Sequence, residues 1–104
     1  MRKMRKGKIV RLRRVRIRQN LGNGFLRSVF SSDTVDANSF VTFNLTAAEG
    51  RVVVNAGWTI STPTAMAFAS ESFPTSTTNW RITIQNPTNT QRTVTPYLIT
   101  KLAP

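Results

Sequence analysis

The side chains with the strongest binding chemistry in this 104-residue sequence are the arginines at its N-terminal end. Ten basic residues and no acidic residue occur before residue 19, and seven of the ten are arginine. A guanidinium pairs with a phosphate or a carboxylate through two parallel hydrogen bonds, which a lysine ammonium cannot do. The segment therefore predicts a surface that binds an anionic partner. Its candidate residues are Arg2, Lys3, Arg5, Lys6, Lys8, Arg11, Arg13, Arg14, Arg16 and Arg18.

The positive charge is confined to this end of the chain. The net charge is +11, yet from Asp33 to Pro104 four basic residues face four acidic ones. Self-repulsion on this scale disfavours a compact state unless a partner neutralises it. A charged face that contacts only water is the alternative, and ten bases without one acid disfavour it. We therefore predict a basic arm, residues 1–18, and a body, residues 19–104.

The second half of the arm has the alternation of a β-strand. Val10 and Leu12 alternate with arginines, as do Val15 and Ile17. The phase slips once, at Arg13-Arg14, as a β-bulge would allow. Residues 1–8 lack an apolar period, so we expect a disordered tip before a strand with one apolar face and one arginine face. A transit peptide would need an amphipathic helix, which this spacing disfavours. A turn at 20–24 and a strand at 25–30 follow.

Most catalytic and metal-binding chemistry is missing from the sequence. There is no His and no Cys, which excludes zinc fingers, thiol nucleophiles, histidine bases and disulfides. Asp33 and Asp36 lie in a predicted polar loop, where an Asx-type turn is favoured over a cation site. Glu49 and Glu71 show no pairing for acid–base work. We predict no enzyme, no cofactor, no metal site and no small-molecule substrate. The longest aliphatic run is three valines, so no membrane span is expected.

The body is rich in β-branched, aromatic and turn-forming residues, which predicts strands. Phe40–Leu45 and Arg51–Asn55 suggest a hairpin with a five-residue loop, and a strand is slightly favoured at 65–69. Trp80–Gln85 and Arg92–Leu102 are later strands, the last of them an edge or bent strand because Pro96 has no N–H. The predicted fold is all-β: a small antiparallel β-sandwich or jelly-roll-like body with an extended basic N-terminal arm.

The predicted core is small for a domain of this size. From Asp33 onward there are 72 residues and only 21 large apolar side chains. Such a domain is marginal without help, and no disulfide can supply it. We expect the N-terminal strands and burial against another chain to complete the core. Trp58, Trp80 and Tyr97 are predicted core or subunit-interface residues, with a sugar-stacking platform as the alternative.

Three segments carry a resemblance to a known group of proteins. Residues 55–58, 79–87 and 93–97 combine a tryptophan strand, an Asn-containing turn and a Pro-Tyr strand. This pattern resembles small β-sandwich proteins of tailed-phage virions, namely capsid cement (decoration) proteins and fibre-tip modules. Fibre modules often end in cysteine, and this chain ends in Lys101-Leu102-Ala103-Pro104, which disfavours the fibre variant. The resemblance implies a non-enzymatic, often trimeric protein that locks capsid subunits together.

The resulting hypothesis is a capsid cement or minor virion structural protein. It would be made in the host cytoplasm, reside in the virion and form a homo-oligomer, with a trimer favoured. Its arm would bind the major capsid protein by salt bridges and strand addition. The first alternative is a nucleic-acid binder, ribosome-associated or genome-contacting, whose arm binds phosphates. The second is a carbohydrate-binding fibre module.

Overall fold

A computed structural model of the chain describes residues 7–12 and 15–104. These residues form strands and loops without a helix, which confirms the all-β prediction. Residues 1–6 of the arm tip predicted at 1–8 and the predicted bulge at Arg13-Arg14 lie outside them. Lys8, which was expected to end the disordered tip, is instead the first residue of a strand. The strands are β1 (Lys8–Leu12), β2 (Val15–Gly22), β3 (Phe25–Phe30), β4 (Asp33–Val35), β5 (Ser39–Thr46), β6 (Arg51–Ile60), β7 (Phe68–Pro74), β8 (Asn79–Asn86) and β9 (Arg92–Leu102).

The strands are arranged in two sheets. The first sheet has the order β1-β5-β8-β7. The second has β9 at its centre: β3 and β4 follow one another along one side of β9, β6 lies along the other, and β2 pairs with β3. Of the seven pairings in the described part of the chain, six are antiparallel. The exception is β1, which runs parallel to β5.

The core lies between the two sheets. On β5 and β8 every second side chain points inward, as the alternation predicts, because side chains on a strand point to opposite faces in turn. Four side chains of the second sheet meet them from the other side. The ten buried core residues are Val41, Phe43, Leu45, Trp80, Ile82 and Ile84 of the first sheet and Phe30, Val35, Val94 and Leu98 of the second.

The N-terminal strands supply part of the missing core. Val10 and Leu12 of β1 and Val15 of β2 pack against the core cluster, and Phe30 of β3 is fully buried within it. Burial of such a side chain contributes about 1.5–3 kcal/mol when it is complete. The expected contribution of the N-terminal strands to the core is therefore confirmed.

The turn between β2 and β3 follows from two residues. Asn23 has φ 54° and Gly24 has φ 84°. A two-residue hairpin turn of type I′ requires positive φ at both central positions, and Asn-Gly is the sequence that adopts it most readily. The turn predicted at 20–24 is thus confirmed at Asn23-Gly24, whereas residues 20–22 belong to β2, and the strand predicted at 25–30 is confirmed as β3.

The predicted hairpin between Phe40–Leu45 and Arg51–Asn55 is wrong. Both segments are strands, but β5 pairs with β1 and β8, whereas β6 pairs with β9 in the other sheet. The loop between them crosses from one sheet to the other. Alternation predicts which residues face the core but not which strand lies alongside, and Val53 and Trp58 reach the same core from the second sheet.

The single strand predicted for Ile9–Arg18 is also wrong. Its two halves are β1 in the first sheet and β2 in the second. Leu12 and Val15 both pack against the core, but from opposite sheets. The slip in apolar phase thus marks a change of sheet. In sequence, a bulge and a change of sheet produce the same signal.

Pro96 does not mark an edge strand, because β9 is paired on both sides. β3 pairs as far as Tyr97, and β4 begins opposite Val94. The backbone N–H of Leu102 donates to the Gly24 carbonyl beside β3, and that of Thr93 donates to Ser61 Oγ beside β6. Because backbone groups alternate in direction along a strand, the N–H groups of even-numbered residues of β9 are directed toward β3 and β4. Pro96 therefore faces the junction between β3 and β4, where its missing N–H breaks no ladder bond.

Two short segments differ from prediction. Asp33 begins β4 rather than lying in a loop, and β7 starts at Phe68, so that residues 65–67 precede it. A three-residue strand is too short to show an alternation. The strand interpretation of 65–69 rested on Met66 and Phe68 alone, and both side chains are exposed.

A buried arginine holds the loop between β6 and β7. Arg92 is 3% exposed and donates hydrogen bonds to the backbone carbonyls of Ser61, Thr62, Ala65 and Met66. Carbonyl dipoles thus take the place of a carboxylate partner. Although Arg92 counts toward the formal charge of the body, its guanidinium is buried and stabilises the conformation of this loop.

Replacing Arg92 by Met should lower the free energy of unfolding by about 2–4 kcal/mol, because the loop carbonyls lose their charged donor. Urea denaturation at neutral pH measures this loss. The matched control is Lys101→Met, which removes the same charge from an exposed position. Equal denaturation midpoints for the two variants would contradict the structural role of Arg92.

Candidate functional site

Four of the predicted partner-binding residues are described by the structure, and they lie on edge strands of both sheets. Lys8 and Arg11 are on β1, an edge of the first sheet, and Arg16 and Arg18 are on β2, an edge of the second. The other predicted partner-binding residues, Arg2, Lys3, Arg5, Lys6, Arg13 and Arg14, lie outside the described residues. The predicted boundary at residue 18 falls inside β2.

Lys8 is engaged within the chain. Its Nζ lies 2.8 Å from Asp33 Oδ1 and donates to Thr34 Oγ1 at 3.1 Å. The contact joins β1 of the first sheet to β4 of the second, and it is the one ion pair within residues 7–12 and 15–104. Lys8 thus links the edges of the two sheets. A partner could bind the Lys8 ammonium only in competition with Asp33.

The environment of Asp33 favours its charged form. Partial burial alone would raise the pKa of this carboxyl. The hydrogen bond from Lys8, the hydrogen bond from the Thr34 N–H and the attraction of the Lys8 charge together outweigh that effect. The pKa of Asp33 is therefore lowered from its ordinary value of 3.8.

β2 presents a basic edge to solvent. Seven of its eight residues are exposed, including Arg16 and Arg18. Within the described residues it pairs with β3 alone, so its other side carries N–H and C=O groups without a strand partner. Two large apolar side chains, Ile17 and Leu21, are 58% and 47% exposed. The strand thus combines charge, apolar surface and unpaired backbone groups.

Arg18 also faces a shallow groove beside the β5–β6 loop. The groove has a volume of about 560 Å³ and is lined by Arg18, residues 46–50 and Thr78. Arg18 is opposite Ser28 in the β2–β3 pairing, and Ser28 is buried. Its side chain therefore points to the inner side of the second sheet.

Trp58, Trp80 and Tyr97 do not form one surface. Trp80 is 9% exposed in the core and donates from Nε1 to Ser72 Oγ at 2.9 Å. Trp58 packs against the same core from the second sheet. Tyr97 lies on the outer face of that sheet, over Gly57 and 5.9 Å below the guanidinium of Arg27. The three rings therefore provide no common platform for sugar stacking.

The outer face of the first sheet brings together two arginines that are distant in sequence. Arg11 of β1 and Arg81 of β8 both lie opposite Asn44 of β5, one on each side. Nothing in the sequence distinguishes Arg81, because it occupies a polar position in an ordinary alternating strand. Only the register of three strands places it near Arg11.

The carboxylates form no metal site in the described part of the chain. Asp36 accepts from Gln91 Nε2 and Glu71 accepts from Thr83 Oγ1. Within residues 7–12 and 15–104, no three His, Cys, Asp or Glu side chains group closely enough to hold a metal ion. The same residues include no helix of the length and apolarity that crossing a bilayer requires.

The fold and the basic edge define the class of protein. It is an all-β protein of two packed sheets, and its first two strands are edge strands that contain arginine residues. The chain belongs to the YjdH family, whose sequence model matches residues 6–100. The match spans the basic strands as well as the body. No curated protein and no solved structure matched the chain. The resemblance to tailed-phage virion proteins stays a prediction.

Replacing Asp33 by Asn should destabilise the protein by about 0.2–1 kcal/mol at neutral pH, the range of a partly exposed ion pair. The pKa of Asp33 is lower in the folded state than in the unfolded chain. The carboxylate therefore stabilises the fold above pH 3.8, and this contribution is lost as the pH falls through the folded-state pKa. Thermal unfolding across pH 2–7 should show the difference from the natural chain disappearing at the acid end.

Asp36→Asn is the control for that experiment, because it removes a carboxylate whose partner is a neutral glutamine. A difference between the natural chain and Asp33→Asn that stays constant over the whole pH range would rule out the ion pair as its source.

Proposed function

We propose that this protein is a non-enzymatic structural protein that binds an acidic protein partner through the basic edge strand β2. The observation that carries the proposal is the exposure of Arg16 and Arg18 on a strand whose outer edge has no strand partner among the described residues. Such an edge can accept one further strand by backbone hydrogen bonding. Arginine forks beside it add charge-assisted hydrogen bonds to carboxylates.

The sign of the charge selects the partner. Two copies of β2 side by side would bring like charges together, which destabilises a strand pair. An acidic strand or loop would instead neutralise Arg16 and Arg18. The same arginines therefore disfavour pairing between copies at this edge and favour a different, acidic protein.

Within this class, we propose the role of a capsid cement protein with the major capsid protein as partner and the virion as location. The support is the resemblance of segments 55–58, 79–87 and 93–97 to such proteins. The body is then a small, mostly antiparallel sandwich of jelly-roll-like character. Capsid shells need clamps of this kind because internal genome pressure pulls their subunits apart.

We also propose that the body forms a homo-oligomer through apolar surface away from β2. Six large apolar side chains outside that strand are between 39% and 69% exposed. Burial of exposed apolar side chains by a second copy would contribute stability in proportion to the apolar area removed from water. The six residues are Ile9, Val54, Met66, Phe68, Phe73 and Leu102.

Nucleic-acid binding is the second candidate. It is favoured by the absence of any acidic residue before Asp33, since phosphates bind arginine forks as well as carboxylates do. It is disfavoured by the lack of aromatic residues before Phe25, which leaves no stacking platform among the N-terminal bases. Such binding would weaken with salt, with a log–log slope of about −0.9 for each phosphate neutralised on duplex DNA.

Replacing both Arg16 and Arg18 by Ser should weaken binding to polyglutamate at least tenfold at about 150 mM salt, because two charge-assisted contacts are lost. Fluorescence anisotropy with labelled polyglutamate and with a labelled DNA duplex measures both ligand classes. The matched control is Arg27→Ser with Lys101→Ser, which removes the same net charge from exposed positions on β3 and β9. Point variants are preferable to deleting residues 1–18, which would remove β1 and its core contacts.

Equal affinities for the β2 variant and the control would overturn the role of this edge. Tighter binding to DNA than to polyglutamate at that salt concentration would favour the second candidate. For the cement role, the natural protein should co-sediment with virus particles from its source cells, and the β2 variant should not.

A further inference from the structure

The outer face of the first sheet carries a row of polar side chains across three strands. Arg11 of β1 pairs in register with Asn44 of β5, which pairs with Arg81 of β8. The neighbouring residues on each strand, such as Phe43 and Ile82, point into the core. Because side chains alternate along a strand, these three point to the outside. The backbones of β1 and β8 are two strand spacings apart, about 10 Å.

Arg81 is held in place before any ligand arrives. Its Nε donates to Asn44 Oδ1 at 3.1 Å, and its guanidinium lies 5.9 Å from the centre of the Phe73 ring. These two contacts orient the guanidinium plane. A pre-oriented fork loses less conformational entropy when it binds a second group than a freely rotating side chain does.

A half-open cavity lies over this row. Its volume is about 300 Å³, and its lining combines two cationic side chains with hydroxyl and amide groups and includes no carboxylate. The lining residues are Arg11, Asn44, Thr46, Thr75, Asn79 and Arg81. We call it the Arg11–Arg81 cavity. Its volume is at the lower end of the range for small-ligand sites.

The positive charge of this cavity is not neutralised within the described part of the chain. The ion pair found there joins Lys8 to Asp33, and neither Arg11 nor Arg81 takes part in one. Two guanidinium groups beside one cavity repel each other unless an anion lies between them. Guanidinium forks match the geometry of carboxylate and phosphate oxygens, and the hydroxyl of Thr75 can donate a further hydrogen bond. The hydroxyl of Thr46 already donates to Asn79 Oδ1 at 2.8 Å.

We infer that the Arg11–Arg81 cavity is an oxyanion site that binds a phosphate or carboxylate group between the two guanidinium groups. Asn44 is a positioning residue, because it acts by orienting Arg81. The site lies on the first sheet, whereas the proposed partner-binding edge is β2 of the second. The inference therefore stands independently of the proposed function.

The experiment titrates the full chain, at constant ionic strength, with inorganic phosphate and separately with acetate. Amide and arginine Nε resonances in ¹H–¹⁵N spectra report binding. Saturable shifts should appear at Arg81, Thr46 and Thr75 with at least one of the two anions. Saturation with phosphate alone identifies a phosphate site, saturation with acetate alone identifies a carboxylate site, and saturation with both identifies a general oxyanion site. No saturation with either anion overturns the inference.

Variants locate the binding. Arg11→Gln and Arg81→Gln should each weaken binding about tenfold or more, because each removes one guanidinium from the cavity. Arg27→Gln is the control, since it removes the same charge from an exposed position on β3 and does not line the cavity. Arg11 is exposed, so its replacement tests the site even if Arg81→Gln fails to fold. Equal weakening by Arg11→Gln and Arg27→Gln would mean that the anions bind only the general positive charge of the protein, and it would overturn the site.

Discussion

The packing of alternating side chains between two small sheets is the constraint on which the rest of this structure depends. With no cysteine to cross-link the chain, the ten-residue core must be closed by strands from every part of the sequence. β5 and β8 supply one wall, and β9 with β3 and β4 supplies the other. β1 joins the first wall by parallel pairing with β5, so Lys8 and Arg11 of the basic segment belong to the folded body.

Because β1 both contributes to the core and carries basic side chains, the position of its charge follows from its packing. A strand that contributes Val10 and Leu12 to the core has to place its alternate residues outside, and in this sequence Arg11 is one of them. For the described bases of this segment, the result is basic surface along the edges of both sheets. Lys8 bonds to Asp33, Arg11 lines a cavity with Arg81, and Arg16 and Arg18 remain exposed on β2. Residues of one charged segment thus have distinct environments.

Elements that depend on interactions between residues close in sequence were predicted correctly, whereas strand pairing, which depends on residues far apart in sequence, was not. The β2–β3 turn follows from Asn23 and Gly24, whose backbone preferences are local. The inward faces of β5 and β8 follow from two-residue alternation. The hairpin predicted between β5 and β6 failed because pairing is set by contacts between residues far apart in the chain. The edge position predicted for β9 from Pro96 was wrong for the same reason. The missing N–H of Pro96 faces a gap between β3 and β4, and this gap exists only in the assembled sheet.

The sequence alone determined the strand content, the direction of the core side chains and the concentration of arginine near the N-terminus, because these depend on residue type and on spacing along the chain. Only the tertiary structure decided which strands are neighbours. That decision divided the basic segment between two sheets, placed Arg81 across Asn44 from Arg11, and buried Arg92 among carbonyl groups. The physical reason is that strand register and sheet packing depend on contacts between residues far apart in the chain, which form when all the strands bury their apolar side chains in one core.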